Sequence, residues 1–349
     1  MPANNFTVLR LLLATFVIVS HSPEVLSGNH ASEPLIALGS CMTIGELAVA
    51  GFFAISGMLI VQSWNRSPRL ISYMAKRMLR IYPAFVLASL FCIVVVGPLA
   101  THSSYFASLN PSRLIFSTLY LEEPELPELF SGRPYQNVNG PMWTIAYEFR
   151  CYLLVAALGV AGLSCRWFWL FILVTSCILV LTPSFDSAYF SRTYRFVGRP
   201  YQFVLLLIPF CSGACICFFQ PRVRAIWTLI AIVGVVCGLA CCDKPIAYIV
   251  AGVLLSYIFY CLAYLYIVKV RIPDVSYGVY LYAWPIQQLI ANEYPAINPL
   301  LLTFSTIPIT FAFGAISWYG LEQRFLRWKP SGIDPVTIES GQATVAASQ

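Results

Sequence analysis

Four ionisable side chains stand within or at the ends of long apolar runs: Arg10, His21, Glu148 and Arg150. A charge in such a run costs roughly 2.5–3.5 kcal/mol on insertion scales, so its retention points to function. Arg10 and His21 are eleven positions apart. That is nearly three helical turns, so both project from one face, about 16 Å apart along the axis. A guanidinium is suited to phosphate, and an imidazole is the natural general base at neutral pH. A molecule with phosphates at one end and a reactive group on a long arm fits this axis, and a coenzyme A thioester has that form. Glu148 is expected at the depth of His21, where its carboxylate would accept a ring N–H and orient the base. Arg150 is two positions further on and points to another face, so it is a poor partner for Glu148.

These groups must be carried by membrane helices. Of 349 residues, 59% are hydrophobic and only 10% are charged, with a mean hydropathy of +0.75. Soluble chains carry about 25% charged residues, so most of this surface must face lipid, and no nucleic-acid partner is expected. The apolar runs are continuous and about 20 residues long, as spanning helices require; a barrel would alternate polar and apolar positions. The expected fold is all-α and polytopic, with ten spans at about 5–21, 43–63, 80–100, 142–162, 167–182, 201–219, 225–241, 246–268, 276–291 and 300–320. The eighth allows division into two pieces, and the apolar stretch from Arg113 to Leu121 is short enough to be re-entrant. Phe6 to Ser20 reads as a retained first span, because no small-x-small cleavage site follows it. The membrane domain is expected over 1–330, with 331–349, rich in Ser, Gly and Thr, a disordered tail.

Charge sets the expected orientation. With the N-terminus inside, Arg66, Arg69, Lys76, Arg77 and Arg80 fall on the cytoplasmic side, as do Arg222, Arg224, Lys269 and Arg271. Glu24, Glu33, Glu122, Glu123, Glu125 and Glu128 fall outside, and Arg192, Arg195 and Arg199 dissent. The positive-inside rule then puts both termini in the cytoplasm. His30 and His102 are expected to be solvated in outer loops. Most of the twelve cysteines lie in apolar runs, where they act as small buried hydrophobes, and no metal site is expected.

Five elements resemble those of membrane-bound acyltransferase family 3. Arg10 to His21 matches its Arg-x10-His element, and Phe52-Phe53-Ala54-Ile55-Ser56-Gly57 matches Phe-Phe-x-x-Ser-Gly. Arg77, Arg80 and Pro83 match Arg-x-x-Arg-x-x-Pro. Gly140-Pro141-Met142-Trp143-Thr144 with Glu148 matches a Gly-Pro-x-Trp-Thr/Ser element with a following glutamate. Ser276-Tyr277-Gly278-Val279-Tyr280-Leu281 matches Ser-Tyr-x-x-Tyr-Leu. They occur in the family's order over most of the chain. Two positions depart: Ala283 stands where the family often has histidine, and Arg150 is not expected.

The resemblance implies transfer of an acyl group, commonly acetyl from acetyl-CoA, to a hydroxyl of a cell-surface or exported sugar at a bacterial plasma or inner membrane. His21 and Glu148 would then be catalytic. Arg10, Arg77 and Arg80 would hold the phosphates of coenzyme A. Ser56 and Gly57 would line the pantetheine arm, although small residues there equally suit close helix packing. Trp143, Tyr147, Tyr277 and Tyr280 would contact substrate. The long segment from Thr101 to Gly140, with Tyr105, Tyr120, Phe130, Tyr135, Asn137 and Asn139, suits a sugar-binding surface. The partners expected are membrane lipid and a glycan or lipid-linked sugar, and the chain either completes the transfer or passes the group to a separate extracytoplasmic protein. The alternative is a transporter or flippase for a lipid-linked sugar, which does not specifically need the Arg10–His21 axis.

Overall fold

The computed structural model describes residues 5–101, 105–186, 198–265 and 273–327. Its helices are α1 (Phe6–Ser27), α2 (Pro34–Ala37), α3 (Ile44–Arg66), α4 (Leu70–Phe91), α5 (Gly97–Ala100), α6 (Pro111–Tyr120) and α7 (Trp143–Val160). They continue with α8 (Arg166–Leu181), α9 (Pro200–Phe219), α10 (Ala225–Cys241), α11 (Lys244–Leu265), α12 (Ser276–Glu293), α13 (Pro299–Ser317) and α14 (Gln323–Arg327). Seven stretches among the described residues are long and apolar enough to cross a membrane: α1, α3, Leu70–Ala100, Gly140–Val160, α9, Lys244–Tyr264 and Pro299–Leu326. The chain is a multi-pass helical membrane protein. The other three expected spans are helical too, but α8 and α10 are shorter, and α12 carries Gln287, Gln288 and Asn292 in its last turns.

Several boundaries differ from the sequence expectation. α1 runs through Pro23 to Ser27 instead of ending near 21. α4 starts at Leu70, ten residues before the expected span, and continues through a π-turn at Cys92–Val96 into α5. The stretch from Arg113 to Leu121 lies largely in α6, which exposes Ile115, Phe116 and Leu119. α11 is one helix over its described residues. The tail 331–349, His102, Arg192, Arg195, Lys269 and Arg271 lie outside the described residues.

Local chemistry sets the helix starts. Thr43 Oγ1 accepts from the Glu46 N–H at 3.0 Å, and Glu46 Oε2 accepts from the Thr43 N–H at 2.9 Å. This reciprocal pair satisfies two otherwise orphaned donors at the head of α3. Asn298 Oδ1 accepts from the Leu301 N–H at 2.8 Å, with Pro299 in the first turn of α13.

In lipid, apolar surface alone does not drive helices together; close contact and interhelical hydrogen bonds do. α3 and α9 cross backbone to backbone. A Cβ on Gly57 would lie 1.9 Å from the Phe210 carbonyl oxygen, and one on Gly213 would lie 2.1 Å from that of Ala54. Three further helices are joined by polar bonds. Gln287 of α12 donates to the Ile18 carbonyl and to Ser22 Oγ of α1, both at 2.8 Å, and Thr303 of α13 donates to Ser22 Oγ at 2.7 Å. Such bonds contribute roughly 0.6–2 kcal/mol each. They hold α1 against α12 and so set the relative positions of the chemical groups on both.

Candidate active site

Helices α1, α3, α7 and α12 wall two adjoining cavities. One, of about 100 Å³, is lined by Arg10, Ser56, Arg77, Arg80, Glu148 and Tyr277 among others. The other, of about 370 Å³, is lined by His21, Glu24, Tyr135, Asn137, Trp143 and Trp284 among others. Val49, Thr144 and Tyr280 border both. The order of residues along each wall agrees. On α12, Ser276 and Tyr277 line the first cavity, Tyr280 the boundary and Trp284 the second. On α7, Trp143 lines the second, Thr144 the boundary and Glu148 and Tyr152 the first. The cavities therefore succeed one another along the bundle axis, with Arg10 and His21 in different chambers of one path.

The first chamber is cationic at its far end. Arg10 Nη1 and Arg80 Nη2 both donate to Asp274 Oδ2, at 2.8 and 2.7 Å. Burial pushes the Asp274 carboxyl up, but the two guanidiniums outweigh it and bring it down to about 2. Arg80 Nη1 also lies 3.6 Å from Glu322 Oε2, a carboxylate only 2% exposed. Arg77 differs: its Nη2 donates to Ser63 Oγ at a long 3.4 Å, and its buried Nε has no hydrogen-bond partner. The chamber therefore contains two guanidiniums that share Asp274 and a third, that of Arg77, with one unsatisfied N–H, a donor set suited to phosphate oxygens. Its walls further in are Phe52, Phe53, Leu59, Ile60 and Ile145. Sites for drug-sized ligands measure about 300–1,000 Å³, so at about 100 Å³ this chamber is smaller than such a site.

Glu148 belongs to this first chamber. Its Oε1 accepts from Ser56 Oγ at 2.5 Å and from Tyr152 OH at 2.6 Å. The expected pairing of Glu148 with His21 is therefore wrong. Ser56 and Tyr152 satisfy the carboxylate, and His21 has a nearer one on its own helix.

That carboxylate is Glu24. His21 Nδ1 lies 2.7 Å from Glu24 Oε2, at the i, i+3 spacing that places two side chains on one helix face. A carboxylate can only accept, so Nδ1 carries the proton, and in the neutral ring Nε2 is then the acceptor. Glu24 is held in turn by Tyr135, whose OH donates to Oε1 at 3.0 Å. Burial and the adjacent carboxylate push the Tyr135 phenol up to about 12, which keeps that donor protonated. The Trp284 ring meets the His21 ring edge to face, with centroids 5.0 Å apart. Base, orienting carboxylate and supporting phenol form the arrangement general-base catalysis requires. Sequence reasoning missed Glu24 by assigning it to a loop after Pro23. The signal was the spacing of His21 and Glu24, had the helix been extended. Asp274 was missed as well, though it is the one acid between Asp243 and Glu293.

The other expected residues divide between the chambers and the framework. Arg10, Ser56, Arg77, Arg80 and Tyr277 line the first, Trp143 lines the second, and Tyr280 borders both. Gly57 packs on the Phe210 carbonyl instead of lining the chamber, which is the packing alternative for that position. Tyr147 is also occupied structurally: its OH accepts from the Arg199 N–H at 2.7 Å, and the Arg150 guanidinium lies 4.5 Å from its ring centroid. This cation–π contact accounts for the position of Arg150. His30 is exposed in its loop, as expected, with its Nδ1 3.7 Å from Glu24 Oε2 at the lining of the second chamber. In the outer segment, Phe130, Asn139 and Tyr105 are buried as the core of that lobe, so they form no sugar-binding surface. Asn139 donates to the Leu281 carbonyl at 2.8 Å and secures the lobe to α12. Tyr135 and Asn137 do reach the second chamber.

Comparison with known proteins agrees with this geometry. A family model described as an acyltransferase domain, that of acyltransferase family 3, matches residues 4–319. The O-acetyl transferase of Shigella phage Sf6 is 31% identical over 332 residues, covering 93% of this chain and 96% of that protein. Nodulation protein 10 of Rhizobium leguminosarum bv. viciae is 31% identical over 166 residues, 44% of each chain. Acyltransferase MdmB of Streptomyces mycarofaciens is 27% identical over 121 residues, 34% of this chain and 29% of that one. No solved structure matches the chain. With a family match over nearly its whole length and a full-length relative, the chain is a member of the membrane-bound acyltransferase family 3.

Proposed function

We propose that this protein moves an acyl group, acetyl first of all, from a coenzyme A thioester bound at the Arg10 end to a hydroxyl of a glycan bound at the His21 end. The observation that carries this reading is the succession of chambers, guanidiniums at one end and an oriented base at the other. Arg10, Arg77 and Arg80 hold the donor phosphates, with Arg77 Nε supplying a free N–H. The thioester lies toward Thr144 and Tyr280. His21 Nε2 takes the proton of the acceptor hydroxyl as its oxygen attacks the thioester carbonyl. The carbon–sulfur bond then breaks, the proton passes from the imidazolium to the thiolate, and an ester and free coenzyme A leave. Glu24 stabilises the imidazolium between these transfers. Glu148, fixed by Ser56 and Tyr152, shapes the donor chamber.

The acceptor side is supported by its lining. The second chamber presents Trp143 and Tyr135 beside Asn137 and Gln202, aromatic faces and amides suited to a sugar. It shares Asn137 with a wider cavity of about 590 Å³, in which Arg113, Glu123, Glu125 and Gln136 offer further polar groups. The relative of Shigella phage Sf6 is named an O-acetyl transferase, which supports acetyl as the group moved. Arg66 and Arg69 support reading the Arg10 end as the cytoplasmic one; on that reading both termini are cytoplasmic and His21 faces the outer side of a bacterial plasma membrane.

The test is incubation of purified protein with carbonyl-labelled acetyl-CoA and candidate bacterial glycans, read by mass spectrometry. The reading expects an added acetyl ester on one glycan class with equimolar thiol release. Thiol release without any modified glycan would overturn it.

A further inference from the structure

The boundary between the chambers carries a pair of hydroxyls. Tyr280 OH lies 2.7 Å from Thr144 Oγ1, and both lie close to the Pro141 carbonyl oxygen, at 3.0 and 3.1 Å. One hydroxyl can donate to that carbonyl while the other donates to the first. Both side chains are buried, Tyr280 at 7% and Thr144 at 6% exposure. The Phe52 ring meets the Tyr280 ring edge to face, with centroids 5.8 Å apart, and Val49 completes the rim from α3.

We propose that Thr144 and Tyr280 form an acyl aperture that admits short acyl chains to His21 and excludes long ones; the proposal rests on the acyl-CoA reading above. A thioester entering this rim presents a carbonyl oxygen. The two hydroxyls, turned from Pro141, offset its lost hydration. An extended alkyl tail offers no acceptor and meets Val49, Phe52 and the face of Tyr280. Closed, the hydroxyl pair also separates the thioester in the first chamber from water in the second. The rim lies between the two chambers, where Val49, Thr144 and Tyr280 line both, and is the place where acyl size is measured.

Purified variants assayed with acetyl-, butyryl- and hexanoyl-CoA test this. Thr144→Ala removes the hydroxyl and the methyl, and should raise the butyryl-to-acetyl ratio of kcat/KM by about tenfold or more, since one methylene at a filled site is worth roughly 10–200-fold. Thr144→Val keeps the bulk and should leave that ratio at the wild-type value. Val49→Ala widens the rim from the opposite wall and should raise the ratio as well, which keeps the test valid if Thr144→Ala does not fold. A wild-type ratio in folded, active widening variants overturns the aperture while leaving the acyl-CoA reading intact. A wild-type protein that transfers no acyl group from any of the three donors overturns that reading and the aperture with it.

Discussion

In the proposed mechanism, His21 depends on a contact with Glu24, three residues away on the same helix. The spacing of Arg10 and His21 was legible because both lie in one apolar run. Glu24 was not, because the first span is expected to end near 21, with Glu24 in the outer loop; in a membrane bundle, neighbouring side chains supply bonds that let a helix continue through a proline such as Pro23. Here Gln287 bonds to the turn just before it. His21→Ala should lower acyl transfer by about 10²–10⁴-fold, the range for a positioned base. Glu24→Gln, which retains shape and loses the charge, should lower kcat with little change in donor KM. Because the pair acts as a unit, the double variant should be little worse than His21→Ala alone. Steady-state rates for the three variants check this, and multiplicative losses would separate Glu24 from His21. Asp274 makes a different prediction. Its folded value, about 2 against an ordinary 3.8, lies below the unfolded one. Its stabilisation, of about 2 kcal/mol, is therefore fully present above pH 3.8 and is lost as pH falls toward 2. Over that window the wild type should lose its thermal-stability advantage over Asp274→Asn, as followed by melting in detergent.

Among the helices, hydrophobic runs located seven stretches long and apolar enough to span, and three shorter or more polar helices, among the described residues, since lipid demands continuous apolar length. The boundaries were less legible because polar residues continue helices wherever a neighbour satisfies them: α4 begins among Arg69, Lys76 and Arg77, and α1 ends beyond Glu24. The role of Gly57 was also hidden, since a small residue suits a ligand channel and a helix crossing equally. The crossing against Phe210 decides it. Gly57→Ala forces a Cβ onto a backbone carbonyl and should destabilise the protein by about 1–3 kcal/mol or more, as overpacking does. Gly213→Ala, on the facing helix, should do the same. Melting temperature and donor KM together read this out. Lower stability with an unchanged KM in the folded fraction is expected, whereas a raised KM at wild-type stability would return Gly57 to the donor path.

For the molecule as a whole, the proposed site is two adjoining chambers that share Val49, Thr144 and Tyr280. The sequence indicated its two ends, because one helix carries both Arg10 and His21. The wall order from α3, α7 and α12, and the rim at Thr144 and Tyr280, depend on which helices meet, and no spacing within one helix reports that. The central claim is that donor and acceptor are used from opposite faces. Sealed proteoliposomes of known protein orientation, with acetyl-labelled coenzyme A only on the Arg10 side and glycan acceptor only on the His21 side, test this most directly. The account predicts acetylated glycan on the His21 side while the donor stays on its own face, and no product with His21→Ala. Product formed only when donor and acceptor share one face would contradict it.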